Sequence, residues 1–422
     1  MHSRERTLKT ALATLSLLLA LPLTGCAHAT SEVPDTIPPA SATPGTDLGL
    51  GPGVRPLSLG PGDKSSPRIN PTGERVAFVL DGYVAEKPLR AQSLPHSTSN
   101  GPGAEQAEWL PDGNLATLRP EDETAAESAG SSPTPSALFA APPDGSSNDR
   151  MLLGGILAAG ALPQGEPIVV AVAVAPATDS SGEQPKSRLV LVRDSEQPMK
   201  VYLRHVDGAV TGLSVSPDGQ EAALAVRRDT GEAGGRFEIQ TYRFSEGQPL
   251  RVARLPKGEE ILGAPQWTPR GIHFVAGEAG VPGARDTTAP RSLYRVSEGS
   301  ETPEPVRGIG EDFVAGSISV SPDGDRLAIV GRRNPGSPTN LYVLDLTSET
   351  LEAATTNQNM EIKTNPRDLA WLPDGRSVIV IARGVLSGPE VYDAAADTLS
   401  SAFYNLYEVP VTDLPAGEKT EE

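Results

Sequence analysis

Six arginines recur at a similar place in a repeated pattern, and their chemistry could serve to bind an anion. Arg227, Arg332 and Arg383 each lie eight residues after a recurring glycine, and Arg119 holds a similar place in a shorter repeat. The candidate binding rim consists of Arg119, Arg227, Arg228, Arg332, Arg333 and Arg383. Guanidinium groups pair well with oxyanions, so the rim predicts a site for a carboxylate, a phosphate or an acidic peptide. The alternative is that these arginines pair with Asp or Glu of neighbouring loops.

The only cysteine, Cys26, is a second chemical signal. It follows a cationic start and a short apolar segment, residues 11–23, which is too short to span a membrane. The run Leu23-Thr24-Gly25-Cys26 resembles a bacterial lipobox, in which the thiol accepts diacylglycerol and cleavage leaves it as the first residue. The alternative is an ordinary signal peptide with an incidental cysteine. Residues 1–26 therefore predict a lipid-anchored protein of the cell membrane that faces outside the cytoplasm.

The composition of the segments that flank the repeats predicts disorder and limits the partners. Residues 27–53 are rich in Pro, Ser, Thr, Ala and Gly and predict a flexible tether, and residues 412–422 predict an acidic tail. The formal charge of −18 becomes −20 without the signal peptide, which carries three cations and one anion. So acidic a chain is not expected to bind nucleic acid.

Known catalytic motifs are missing from the sequence. It contains no Gly-x-Ser-x-Gly elbow, His-Glu-x-x-His pair or phosphate-binding Gly-Lys-Ser/Thr loop. The five histidines fall at unrelated positions, and the aspartates of the repeats are explained by turn chemistry. We therefore predict no catalytic residue, cofactor or metal.

A repeated glycine turn indicates the elements that must position these residues. Its spacings are 40, 52, 54, 52, 53 and 51 residues, and all three tryptophans lie four residues before such a glycine. A period of this length is typical of an array of equal supersecondary units. The turn glycines are Gly73, Gly113, Gly165, Gly219, Gly271, Gly324 and Gly375.

Each repeat predicts short antiparallel strands around a Pro-x-Gly hairpin, which is Pro-Asp-Gly in four of the seven repeats. Proline presets the turn, and glycine supplies the positive φ that the turn requires. Four such strands form a β-propeller blade. The chain therefore predicts an all-β single β-propeller over residues 54–411 with seven four-stranded blades, six or eight being the alternatives. The last repeat lacks a fourth strand, and Val54–Leu59 is predicted to supply it from the N-terminal side.

The run Val320-Ser-Pro-Asp-Gly324, which recurs as Val215-Ser-Pro-Asp-Gly219, resembles the TolB-type propeller repeat. The repeats are also similar to those in the propellers of LpqB-like lipoproteins and of dipeptidyl-peptidase-like proteins. The resemblance implies a membrane-anchored propeller that binds an envelope protein or peptide without catalysis. TolB propellers have six blades and an added N-terminal domain, which this sequence does not match. A peptidase would require a hydrolase domain that is not found here.

The connections that follow the second strands of the blades are long and irregular, and long loops on a rigid scaffold commonly carry function. We therefore expect this face to bind the partner and the protein to be a monomer. The alternative is an extracytoplasmic propeller enzyme or small-ligand receptor with its site at the mouth of the channel. That function would require carboxylates and a histidine to converge there.

Overall fold

Twenty-eight β-strands and no helix form the described part of this computed structural model, because most of the apolar runs have strand length. The described residues are 50–58, 61–91, 93–98, 102–120, 136–141, 149–161, 168–174, 186–192, 205–228, 235–246, 249–278, 291–357, 360–384 and 403–412. All of these residues belong to one compact unit. The predicted signal peptide with Cys26 and nearly all of the predicted tether and tail lie outside the described residues.

Four sheets each contain four strands in chain order, and every neighbouring pair is antiparallel. Their strands are β2 (Lys64–Ile69), β3 (Arg75–Leu80), β4 (Tyr83–Pro88) and β5 (His96–Ser97); β13 (Ala209–Val215), β14 (Glu221–Arg228), β15 (Arg236–Arg243) and β16 (Pro249–Arg254); β17 (Glu259–Thr268), β18 (Gly271–Glu278), β19 (Arg291–Val296) and β20 (Glu304–Pro305); β21 (Val314–Val320), β22 (Arg326–Arg332), β23 (Asn340–Asp345) and β24 (Thr350–Ala353). The predicted four-stranded unit is confirmed in these repeats.

The second and third repeats share one sheet of seven strands. Its strands are β6 (Gln106–Trp109), β7 (Leu115–Pro120), β8 (Ser136–Ala141), β9 (Arg150–Ala161), β10 (Ile168–Val174), β11 (Lys186–Val192) and β12 (His205–Asp207). The first half of β9 pairs with β8 and its second half with β10. Gly155, at φ +70, lies where the pairing changes, and its backbone freedom permits the irregularity. The seven repeats therefore form six sheets in the described residues, and the number of blades stays a prediction.

The last sheet joins the two ends of the folded unit. Its strands are β25 (Met360–Ile362), β26 (Leu369–Trp371), β27 (Ser377–Gly384), β28 (Asn405–Pro410) and β1 (Arg55–Ser58). Strand β1 pairs with β28, so closure by an N-terminal strand is confirmed. Leu50 is fully buried among apolar residues of the last two sheets. The folded unit therefore includes Leu50–Gly53, which the sequence placed in the tether.

The hairpin turns have the predicted chemistry. In the turn after β21, the Gly324 N–H donates to the Ser321 carbonyl at 2.9 Å, and Gly324 has φ +81. The Asp323 carboxylate accepts the N–H of Asp325 at 3.2 Å. A Cβ on Gly324 would lie 3.1 Å from Pro269, which belongs to the turn of the preceding sheet, so neighbouring turns pack together. The degenerate turn at Gly165 lies outside the described residues.

Neighbouring sheets are joined through their first strands, which contact one another from β13 through β17, β21 and β26 to β2 and β6. Two tryptophans bridge these junctions. The Trp371 indole N–H donates to the Ser319 carbonyl at 2.9 Å, and that of Trp109 donates to the Arg68 carbonyl at 3.1 Å. Both indoles are buried, as predicted for core residues, whereas Trp267 is only partly buried.

Candidate functional site

The predicted arginines lie where the second strand of a sheet ends, opposite the hairpin turns. We call the end of the sheets near the Pro-Asp-Gly turns the turn end, and the opposite end, near the arginines, the rim end. Arg119, Arg228 and Arg332 are at or next to the last residues of β7, β14 and β22. The long connections predicted to form the binding face follow these strands, and most of their residues lie outside the described part of the chain.

Two of the arginines are held by carboxylates. Arg119 forms an ion pair with Asp149, and its guanidinium also lies 4.7 Å from the centre of the Phe139 ring. Arg228 donates from Nε to Glu238 at 2.5 Å, and the Glu238 side chain is only 2% exposed. These two side chains therefore neutralise carboxylates of the propeller itself, which agrees with the alternative that the rim arginines pair with Asp or Glu.

Arg383 is also paired. Its Nε and Nη2 atoms lie 2.8 and 2.7 Å from the Glu361 carboxylate, and its guanidinium lies 4.5 Å from the centre of the Tyr404 ring. Tyr404 donates its hydroxyl to Glu361 at 2.6 Å. Burial, followed by the contact with Glu361, raises the pKa of the Tyr404 phenol. This group stabilises the junction of β25, β27 and β28 through aromatic and ionic contacts.

Two further rim arginines also have interaction partners. Arg332 donates from Nε to the Thr339 hydroxyl at 2.9 Å. Arg227 is partly buried and has an interaction partner.

Arg333 differs from the paired arginines because it is exposed and borders a recess of about 350 Å³. Within the described residues, no Asp or Glu lies within ion-pair distance of its guanidinium. The Tyr342 phenol lines the recess; burial raises its pKa, and the charge of Arg333 is the largest influence that opposes this change. The Arg333 guanidinium therefore lies near a neutral phenol, which does not cancel its charge.

The wall of this recess is fixed by internal hydrogen bonds. The Asn340 side-chain oxygen accepts from the Thr355 hydroxyl at 2.8 Å and from the Asn357 N–H at 2.7 Å. The Asn357 amide donates to the Thr339 carbonyl at 2.6 Å and accepts the Met360 N–H at 2.8 Å. These amides link β23 to the segment that leads into the last sheet, so the recess is preformed.

The N-terminal chain enters the folded unit beside this recess. Thr356, which lines the recess, donates its N–H to the Leu50 carbonyl at 3.0 Å. Three residues later, a Cβ on Gly53 would lie 3.2 Å from Pro410, at the turn end of β28. The chain therefore arrives at the rim end and crosses to the turn end before β1 begins.

Sequence reasoning missed two buried charges at the junction of the first and last sheets. Lys64 is 1% exposed and donates to the Gly62 carbonyl at 3.0 Å and to the Asn405 side chain at 2.9 Å. Burial lowers its pKa to about 8, although Asp81 and Asp63 oppose this. The buried Asp368 carboxylate accepts the Ser66 N–H at 2.7 Å, and burial raises its pKa. The repeat pattern gives no signal for either residue.

Other candidate chemistry is sparse in the described residues. They contain no group of three or more His, Cys, Asp or Glu side chains placed to hold a metal ion. His273 is buried on β18, and burial lowers its pKa to about 4. Nor do the described residues contain a helix that could cross a lipid bilayer.

Comparison with solved structures identifies the architecture. An oligogalacturonate lyase from Vibrio parahaemolyticus superposes with a TM-score of 0.54 at 12% identity, over 87% of this chain and 95% of the lyase. A chain of the mitotic checkpoint complex superposes with a TM-score of 0.51 at 14% identity, over 87% of this chain and 96% of its own length. The fold is a β-propeller. At these identities the propeller neighbours establish the fold alone, and neither a protein-family profile nor a curated protein sequence matches the chain significantly.

Proposed function

We propose that this propeller is a lipid-anchored, TolB-like binding scaffold that engages a protein or peptide outside the cytoplasm without catalysing a reaction. The lipobox-like sequence that ends at Cys26 supports the anchor, and the Pro-Asp-Gly repeat supports the family relationship. The acidic composition argues against nucleic acid as the partner. The protein acts as a monomer in this proposal.

The observation that carries the proposal is the place where the N-terminal chain joins the propeller. Leu50 is bonded to Thr356, and Thr356 lines the recess at the rim end. Leu50 lies 24 positions after Cys26, which corresponds to roughly 25–30 Å when the chain between them behaves as a flexible coil. An anchor at Cys26 would therefore keep the rim end close to the membrane. A partner in or at the same membrane would meet the recess at a raised effective concentration.

Photo-cross-linking in intact cells tests this proposal. A photoreactive residue replaces Ser337, which lines the recess, and in a matched control it replaces the exposed Gln220 at the turn end. We expect one discrete protein adduct from Ser337 that is absent from Gln220. The adduct should disappear with Cys26→Ser, because the unanchored protein no longer shares a surface with its partner. Equal adducts from both positions, or none from Ser337, would contradict a partner-binding rim end.

A further inference from the structure

We propose that the Arg333 recess recognises a carboxylate group on a short peptide segment, either a chain terminus or an Asp or Glu side chain. This inference rests on the proposed function for the biological partner. It adds the chemical group that the rim end binds. It selects one arginine from the six rim candidates.

The guanidinium of Arg333 has charge to offer to a ligand. Arg119, Arg228 and Arg383 already face carboxylates, whereas no described Asp or Glu lies within ion-pair distance of Arg333, which has the Tyr342 phenol nearby. A neutral phenol does not balance the charge of a guanidinium, whose five N–H donors exceed what one phenol oxygen can accept. The planar guanidinium presents paired N–H groups that match the two oxygens of a carboxylate.

The remaining lining suits the polar atoms that surround a carboxylate in a peptide. The hydroxyls of Ser337 and Thr356 border the recess, and no hydrogen bond of either hydroxyl is found in the described residues. Pro338 and Ala353 add apolar surface. The asparagines, by contrast, are occupied in holding the wall, so the recess presents a few donors on a rigid frame.

Charge and size favour a carboxylate over a phosphate. Among the described residues that line the recess, Arg333 is the only cationic one, and it balances one negative charge. A phosphate monoester carries about −1.5 to −2 at neutral pH and would leave an excess of negative charge in a protein that is already acidic. The volume of about 350 Å³ lies at the lower end of the roughly 300–1,000 Å³ that ligand sites occupy, which suits a short segment.

Binding of defined peptides to the full-length protein in detergent tests the inference. The probes are three pools of fluorescent pentapeptides that share the same randomised neutral positions. One pool has a free C-terminal carboxylate, the second a C-terminal amide, and the third a C-terminal amide and one internal Asp. We expect the first or third pool to bind and the second to bind at least tenfold more weakly. The first and third pools separate a terminal from a side-chain carboxylate.

Matched variants assign the effect to Arg333. We expect at least a tenfold loss of affinity in Arg333→Ala and Arg333→Gln and a smaller loss in Arg333→Lys, which keeps the charge but not the fork of donors. Arg243→Ala is the control, because Arg243 is similarly exposed but lies at the turn end and pairs with Glu221. Inorganic phosphate should compete less well than acetate at equal concentration.

Equal affinity of the amide pool, no binding by any pool, or wild-type affinity in both Arg333→Ala and Arg333→Gln would overturn the inference. These results are separable from those of the cross-linking experiment. Peptide binding that depends on Arg333, together with no adduct from Ser337, would retain the carboxylate site and remove the partner-binding function. An adduct from Ser337 that persists in Arg333→Ala, without peptide binding, would do the reverse.

Discussion

The two ends of the sheet β21–β24 use polar side chains in opposite ways. At the turn end, Ser321 and Asp323 bond to each other and to the backbone of their own hairpin, and this arrangement repeats after β13 with Ser216 and Asp218. At the rim end, Arg333 borders an open recess; Asn340 beside it recurs as Asn405 at the start of β28, but Asn340 contacts Asn357 whereas Asn405 accepts from Lys64. The turn-end residues therefore keep the same partners from repeat to repeat, whereas equivalent rim-end residues differ in their partners: Arg228 pairs with Glu238, and Arg333 borders the recess.

The largest expected effect comes from the turn end. Gly271 has φ +119, and a Cβ there would overlap the Val296 carbonyl oxygen. Gly271→Ala should lower the free energy of unfolding by about 2–3 kcal/mol through strain and backbone displacement. Gly299→Ala is the matched control, since Gly299 has φ +82 but open space around its Cβ position, and it should cost about 1 kcal/mol. Equal losses in chemical denaturation would show that contact at Gly271 contributes nothing.

The next largest effect on stability is expected at one of two rim arginines, Arg228 and Arg333. Arg228→Ala leaves the buried Glu238 carboxylate with only Gln240 and the more distant Arg254, at 3.8 Å. We expect a loss of about 1–3 kcal/mol, less than for a fully buried pair because Arg228 is 40% exposed. Arg333→Ala should change stability by no more than about 0.5 kcal/mol. A comparable loss in both variants, measured by urea denaturation, would place Arg333 among the structural arginines.

A smaller effect tests the repeated serine of the turn end. The Ser321 hydroxyl accepts the Arg326 N–H at 3.0 Å and donates to Asp323. Ser321→Ala should cost about 1 kcal/mol, the typical net value of such a hydrogen bond. It should leave peptide binding at the recess unchanged. A change in affinity without a change in stability would show that the two ends are coupled.

The smallest effect concerns pH. The Ser216 hydroxyl bond and then the backbone N–H of Gln220 lower the pKa of Asp218 below its usual 3.8. A carboxyl group whose pKa is lower in the folded state stabilises the fold above the unfolded pKa and loses this contribution as pH falls through the folded pKa. The stability of the wild type should therefore fall more steeply than that of Asp218→Asn as pH is lowered through and below 3.8. Parallel curves in thermal denaturation would contradict this assignment.

The turn end could be predicted from sequence because its determinants are local. Pro217, Asp218 and Gly219 are adjacent, and each contributes a known preference to the same hairpin. Closure by β1 was also predictable, since the last repeat lacks one strand and the residues before the first repeat have strand character. The end of the tether was misplaced because Leu48 and Leu50 are isolated apolar residues in a segment rich in Gly and Pro.

The rim end depends on contacts that spacing does not encode. Arg119 meets Asp149 thirty residues later, and Arg383 meets Glu361 on the neighbouring strand. The arginines occupy similar strand ends, but their partners could not be identified from the spacing. The recess could not be predicted from sequence, because it forms only when the segment around Asn357 packs against β23. The continuity of β9 could not be predicted either, because the sequence gives no signal that two repeats share a strand.

The pairing of β1 with β28 also constrains the order in which the protein can be completed. The contact between Arg55 and Glu408 joins residues 353 positions apart. Until Asn405–Pro410 have been synthesised and delivered to the same compartment, the edge of β27 that receives β28 stays open. Contacts this distant in sequence form slowly, because a long loop must close before they contribute. A chain stalled or clipped before Asn405 would therefore carry an exposed strand edge, whose unpaired backbone groups can pair with another chain.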